Sequence, residues 1–153
     1  MANTKEENTE LIHEILDHPK MKELLKYRAH GKTSLYRHSV NVAKTSYGLC
    51  KKLNLDVDYN TLIQGALLHD FYLYDWHEYK AQGGVSKLHG FTHAKRAKNN
   101  AVKYFNIDKE VQDIIVSHMW PLNLKSKPAS KEALVVCLVD KYCALKETLG
   151  IKG

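Results

Sequence analysis

Residues 59–70 read YNTLIQGALLHD, and their spacing settles the secondary structure around them. Leu62, Gly65, Ala66 and His69 fall three or four residues apart and share one face of a helix. Gly65 and Ala66 on that face let another helix approach closely. Asp58 is placed to cap the helix, which is expected to run to about Asp70. An imidazole thus lies in a core-facing stripe with a carboxylate beside it at the helix end. Those two adjacent side chains converge only if the backbone turns there.

Helical spacing continues outward in both directions. Upstream, it predicts a helix over residues 6–17 and a short one from Pro19 to near Tyr27. The stretch AHGKTS (29–34) breaks the pattern, and Ser34 caps a long helix over 35–53. Downstream, residues 72–90 are aromatic and then glycine-rich, an irregular crossing with about one turn of helix. Thr92 is expected to cap a helix to Phe105, and Asp108 another to about Met119, ended by Pro121. Ser130 caps a final helix to Leu149, stopped by Gly150. No stretch holds a period of two. The predicted fold is an all-α bundle of about six to eight helices, one domain over residues 1–153.

A chain of 153 residues suits one compact domain. With 44% hydrophobic and 26% charged residues it has the composition of a folded globular protein. The longest apolar run is the seven residues from Ala133 to Val139, too short for a membrane span, and the polar MANTKEENTE start is not a targeting segment. Cys50, Cys137 and Cys143 form no CxxC pair, which points to reduced thiols and a cytoplasmic location. The formal charge of +6 comes from scattered lysines and arginines. That pattern argues against a dedicated nucleic-acid surface and suits small phosphorylated molecules.

Nine histidines are present, and their placement matters more than their number. His38 lies in the stripe of Leu35, Val42, Leu49 and Leu53. His93 lies with Ala97, Ala101 and Tyr104, and His118 follows Val111, Ile114 and Ile115 at helical spacing. Asp140 sits among Val136, Cys137, Cys143 and Ala144 in the most apolar helix. Any one of these histidines alone reads more readily as a hydrogen-bonded core residue than as a ligand. A buried carboxylate, however, needs a cationic partner, and no Lys or Arg lies three or four residues from Asp140. Four core-facing histidines and Asp140, spread over successive helices, are best satisfied together by a divalent metal: iron, manganese, nickel or zinc. Asp70, beside His69, is able to bridge two ions roughly 3.5–4 Å apart.

The pattern of His38, the adjacent His69–Asp70 and the late helical Asp140 resembles the HD-domain superfamily of metal-dependent phosphohydrolases, over about residues 35–145. His93 in THAKRA and His118 in IIVSHMWPL resemble the extra histidines of its binuclear subgroup. That subgroup includes the HD-GYP cyclic-dinucleotide phosphodiesterases and the di-iron oxygenases related to myo-inositol oxygenase. Two motifs depart from these branches: Leu73 stands where HDxxK has Lys, and MWPL follows His118 where GYP would be. The likeness is greatest to small, stand-alone bacterial members.

The resemblance implies one ion on His38, His69, Asp70 and Asp140, and a second on Asp70, His93 and His118. It further implies hydrolysis of a phosphoester, in a nucleotide or another small phosphorylated metabolite, by a hydroxide formed near neutral pH. His69 and Asp70 would be central to catalysis. Arg37, Arg96 and Lys141 are candidate cations for the substrate phosphate; Arg96 reads equally as a solvent-facing charge, and Arg37 and Lys141 more readily so. Asp75 is a candidate proton donor and Trp76 a stacking wall, unless both belong to an ordinary packing segment. His89 reads as a surface group or a support for the site, while His13, His18 and His30 carry no role. The alternatives to hydrolysis are a di-iron oxygenase using the same ligands and a non-catalytic module that binds metal or nucleotide. Oligomeric state has no signal in the sequence.

Overall fold

A computed structural model describes residues 2–77 and 86–151, with side chains for 9–77, 90 and 92–151. The side chain of His89 and residues 78–85 of the expected crossing segment therefore lie outside the described residues. Seven α-helices run through them: α1 Ala2–Asp17, α2 Pro19–Glu23, α3 Leu35–Lys52, α4 Tyr59–Leu68, α5 Ser86–Tyr104, α6 Lys109–Ser117 and α7 Lys131–Thr148. A 3₁₀ turn over Leu24–Lys26 extends α2. No strand occurs among the described residues, and only an isolated bridge joins Arg28 to Ser34. The expected all-α bundle is what forms.

The caps fall where the sequence places them. Ser34 accepts the backbone N–H of Arg37, Asp58 that of Thr61, Asp108 that of Val111 and Ser130 that of Ala133, each satisfying a first-turn donor. Two helix starts differ, the first helix beginning at Ala2 rather than at residue 6. The helix expected to begin at Thr92 begins at Ser86, leaving Gly90 and Thr92 inside it. The glycine there serves a contact rather than a break, because a β-carbon on Gly90 would lie 3.2 Å from the Leu122 side chain.

Helix α4 is the centre of the bundle. It is apolar almost all round, with Leu62 and Gln64 to Leu68 buried, and it packs against α1, α3, α5, α6 and α7. The close approach expected at Gly65 occurs against α6: a β-carbon there would fall 2.6–2.9 Å from three atoms of Ile114. Helix α3 packs on both α4 and α7, and α6 packs on α5 and α7. The ends of α4 and α6 and the inner faces of α3, α5 and α7 therefore meet in one buried region.

Candidate metal centre

Helix α4 ends at Leu68, and the next two residues, His69 and Asp70, form a turn. The Phe71 N–H bonds back to Leu68 and its carbonyl accepts from the side chain of Asn100 on α5 at 3.0 Å, so the corner is tied to a neighbouring helix. Three residues past Asp70, Leu73 adopts φ +60, a left-handed conformation that costs a non-glycine residue about 1–3 kcal/mol. The backbone thus turns away immediately after the His–Asp pair, and both side chains face the same buried space.

All six proposed ligands arrive there. His38, His69, Asp70, His93, His118 and Asp140 are buried. The ligand atoms of His38, His69, Asp70 and Asp140 lie within 4.8 Å of one another, as do those of Asp70, His93 and His118. Asp70 is common to both groups and divides its oxygens between them. Its Oδ2 lies 3.6 Å from His38 Nε2 and 3.4 Å from His69 Nε2. Its Oδ1 lies 3.4 Å from His93 Nε2 and 3.3 Å from His118 Nε2. Asp140 Oδ1 sits 2.9 Å from His38 Nε2 and 3.3 Å from His69 Nε2.

The proton inventory shows why this arrangement fits cations. His69 Nδ1 is 2.7 Å from the Ala66 carbonyl and His118 Nδ1 is 2.6 Å from the Ile115 carbonyl. A carbonyl only accepts, so each Nδ1 carries the proton, and in the neutral ring Nε2 presents a bare lone pair. Those lone pairs face Asp70 and other imidazoles: His38 and His69 Nε2 are 3.3 Å apart, and His93 and His118 Nε2 are 3.0 Å apart. Asp70 Oδ1, though buried, has no hydrogen-bond partner among the described residues. Converging lone pairs around an orphaned carboxylate oxygen need positive charge between them. Divalent ions on nitrogen and oxygen ligands supply it without further protein groups.

The same charges perturb the ionisable groups. Burial alone would lower the His38 imidazole, but Asp140 and Glu147, at its two nitrogens, raise it to about 9. Burial also opposes charge on His69, which Asp70 and Asp140 nonetheless push well above its usual value. Asp70 and Asp140 resist the effect of burial because the histidines hold both carboxyls well below the usual range. His118 moves the other way, lowered by burial more than Asp70 raises it.

The other predicted residues occupy varied positions. Arg37 and Arg96 are exposed, with the Arg96 guanidinium 5.3 Å above the Tyr74 ring. Lys141 is spoken for: its ammonium donates to the carbonyls of His118 at 2.8 Å and Cys137 at 3.2 Å, closing the end of α6 that carries a ligand. Asp75 stands apart from the two ligand groups and accepts the backbone N–H of His77. Trp76 is half-buried, its ring 3.9 Å from that of His77. Two residues without an expected role join the site. His30 packs its ring 5.0 Å from that of His38. Glu147, seven residues after Asp140 and so on the same face of α7, accepts from His38 Nδ1 at 2.8 Å.

No curated protein and no solved structure matches the chain significantly. Residues 35–145 match the HD domain, a segment that opens with α3 and contains all six ligands. With its His–Asp corner at the end of the central helix and Asp140 reaching the same cluster from α7, the chain belongs to the HD-domain family.

Proposed function

We propose that this chain is a metal-dependent phosphohydrolase acting on a phosphoester in a nucleotide or another small phosphorylated metabolite, with two divalent ions (Fe, Mn, Ni or Zn) as cofactors. The observation that carries the reading is Asp70, one buried carboxylate presenting a separate oxygen to each of two ligand groups. Membership of a family composed largely of metal-dependent hydrolases supports the same class. When bound, such ions withdraw charge from phosphoryl oxygens and make hydroxide available near neutral pH.

The chain's own residues have three tasks in this account. His38, His69, Asp140 and Asp70 hold the first ion, and Asp70, His93 and His118 the second. The Ala66 and Ile115 carbonyls fix the tautomers of His69 and His118, so each presents Nε2 without reorganisation. Exposed Arg37 and Arg96 attract the anionic substrate, and Trp76 and Asp75 line its approach, Asp75 as a proton donor. No helix among the described residues is long and apolar enough to cross a membrane. The free, buried Cys50, Cys137 and Cys143 suit a reducing, cytoplasmic setting.

The test is hydrolysis of p-nitrophenyl phosphate, bis(p-nitrophenyl) phosphate and a panel of nucleotides with Mn²⁺, Ni²⁺, Zn²⁺ or Fe²⁺ added. Turnover that is lost with chelator and abolished by Asp70→Ala supports the assignment. Unchanged turnover in that variant contradicts it. Oxygen consumption with iron alone, and no hydrolysis under any metal, would transfer the site to oxygenase chemistry.

A further inference from the structure

Glu147 lies beyond the segment that matches the family, yet its carboxylate reaches into the metal centre. It stands two helical turns after Asp140 on α7, so the two carboxylates share a face and grip opposite nitrogens of one ring. Asp140 Oδ1 is 2.9 Å from His38 Nε2, and Glu147 Oε2 is 2.8 Å from His38 Nδ1. The Glu147 side chain is only 8% exposed. Its second oxygen accepts from Asn41 Nδ2 at 3.1 Å, one turn along α3 from His38.

The backbone of Glu147 is fixed independently. Gly31, at φ +57, passes so close that a β-carbon would fall 2.5 Å from the Glu147 carbonyl oxygen. Only glycine fits both the left-handed conformation and that approach. The loop over residues 27–34, itself closed by hydrogen bonds from Ala29 to Thr33 and from Leu35 to Tyr27, thus pins the end of α7 beside the start of α3.

We infer that Glu147 is a positioning residue for the first metal site: it holds the Nδ1 proton of His38, aims Nε2 at the ligand cluster and backs that ring with a charged partner. His69 and His118 have neutral backbone carbonyls at the equivalent nitrogen, whereas His38 has a carboxylate. A charged partner raises ligand basicity more than a neutral one does. Affinity at the first site should therefore depend on Glu147, while affinity at the second, built on His93 and His118, should not.

This inference rests on reading the cluster as a metal centre, and the experiment separates the two. Mn²⁺ and Co²⁺ binding is measured by equilibrium dialysis on wild type, Glu147→Ala, Glu147→Gln and Asn41→Ala, with far-UV circular dichroism confirming the helical fold. The expected result is that Glu147→Ala weakens one of two equivalents by roughly 10–100-fold and leaves the other unchanged. Glu147→Gln, whose amide oxygen still accepts from Nδ1, recovers part of that loss. Asn41→Ala produces a smaller weakening of the same equivalent and provides the test if Glu147→Ala does not fold. Two equivalents of unaltered affinity in Glu147→Ala, or in Asn41→Ala and Glu147→Gln together, would overturn the role of Glu147 while leaving the metal centre intact. Wild type that binds no ion would overturn the metal reading, and this inference with it.

Discussion

The two halves of the metal centre share Asp70 and differ in nearly everything else. The first gathers two imidazoles and two carboxylates from α3, the α4 corner and α7, with Glu147 behind His38. The second has two imidazoles, from α5 and the end of α6, and only the single shared carboxylate. More negative charge binds a cation more tightly but also binds protons more tightly. The first half should therefore be the high-affinity, pH-sensitive site, and the second the weaker, exchangeable one.

Removing what the halves share has the largest expected effect. Asp70→Ala, and likewise Asp70→Asn, is expected to lower metal content from near two equivalents to below one and to abolish turnover, measured by elemental analysis beside a phosphatase assay. Removing only the second half is expected to split them. In the His93→Ala, His118→Ala double variant, one equivalent remains and turnover falls by several orders of magnitude. Equal loss of both ions in that variant would show that the halves form one inseparable unit.

Proton competition sharpens the comparison. With both nitrogens facing carboxylates, His38 holds its proton to about pH 9, and an ion at Nε2 must displace it. The raised value means the ring is charged at neutral pH. Metal affinity of the first site should accordingly climb as pH rises from about 7 toward 9, by up to about tenfold per unit for each proton displaced, with His69, also raised, adding to the climb. His118, lowered rather than raised, should impose no such slope on the second site. Isothermal titration with Mn²⁺ at several pH values, in buffers of different ionisation enthalpy, measures both the slope and the protons released.

Smaller effects probe the scaffold. Gly65→Ala forces a methyl against Ile114 where α4 meets α6 and is expected to cost about 1–3 kcal/mol in urea unfolding, through strain on the helices that carry His69 and His118. Lys141→Ala removes a cation from the end of α6 and is expected to cost about 0.3–1 kcal/mol, with a modest weakening of the second ion and little change in the first.

How much of this was legible in the sequence follows from which signals are local. A cap and an apolar period lie within a few residues of one another, so Ser34, Asp58, Asp108 and Ser130 mark true helix starts. Thr92 misleads because Gly90 reads as a break, and its packing reason, Leu122, is more than thirty residues away. Five of the ligands stand out as polar groups in apolar stripes, and Asp70 by its place beside His69; burial is what periodicity reports. Glu147 does not stand out, since among Lys146, Thr148 and Gly150 it reads as a solvated helix end. Its side-chain partners, His38 and Asn41 on α3, lie more than a hundred residues away in the sequence. Lys141 shows the converse: next to a ligand it reads as a substrate cation, yet its ammonium lies on a backbone carbonyl contributed by α6.

The most direct measurement is the metal content of freshly purified protein, prepared without added metal or chelator, beside the His93→Ala, His118→Ala variant. Two ions sharing Asp70 predict near two equivalents in the wild type and near one in the variant. A single equivalent in both would contradict the binuclear centre, leaving one ion on His38, His69, Asp70 and Asp140. No ion in either, and none taken up on titration, would contradict the metal centre altogether.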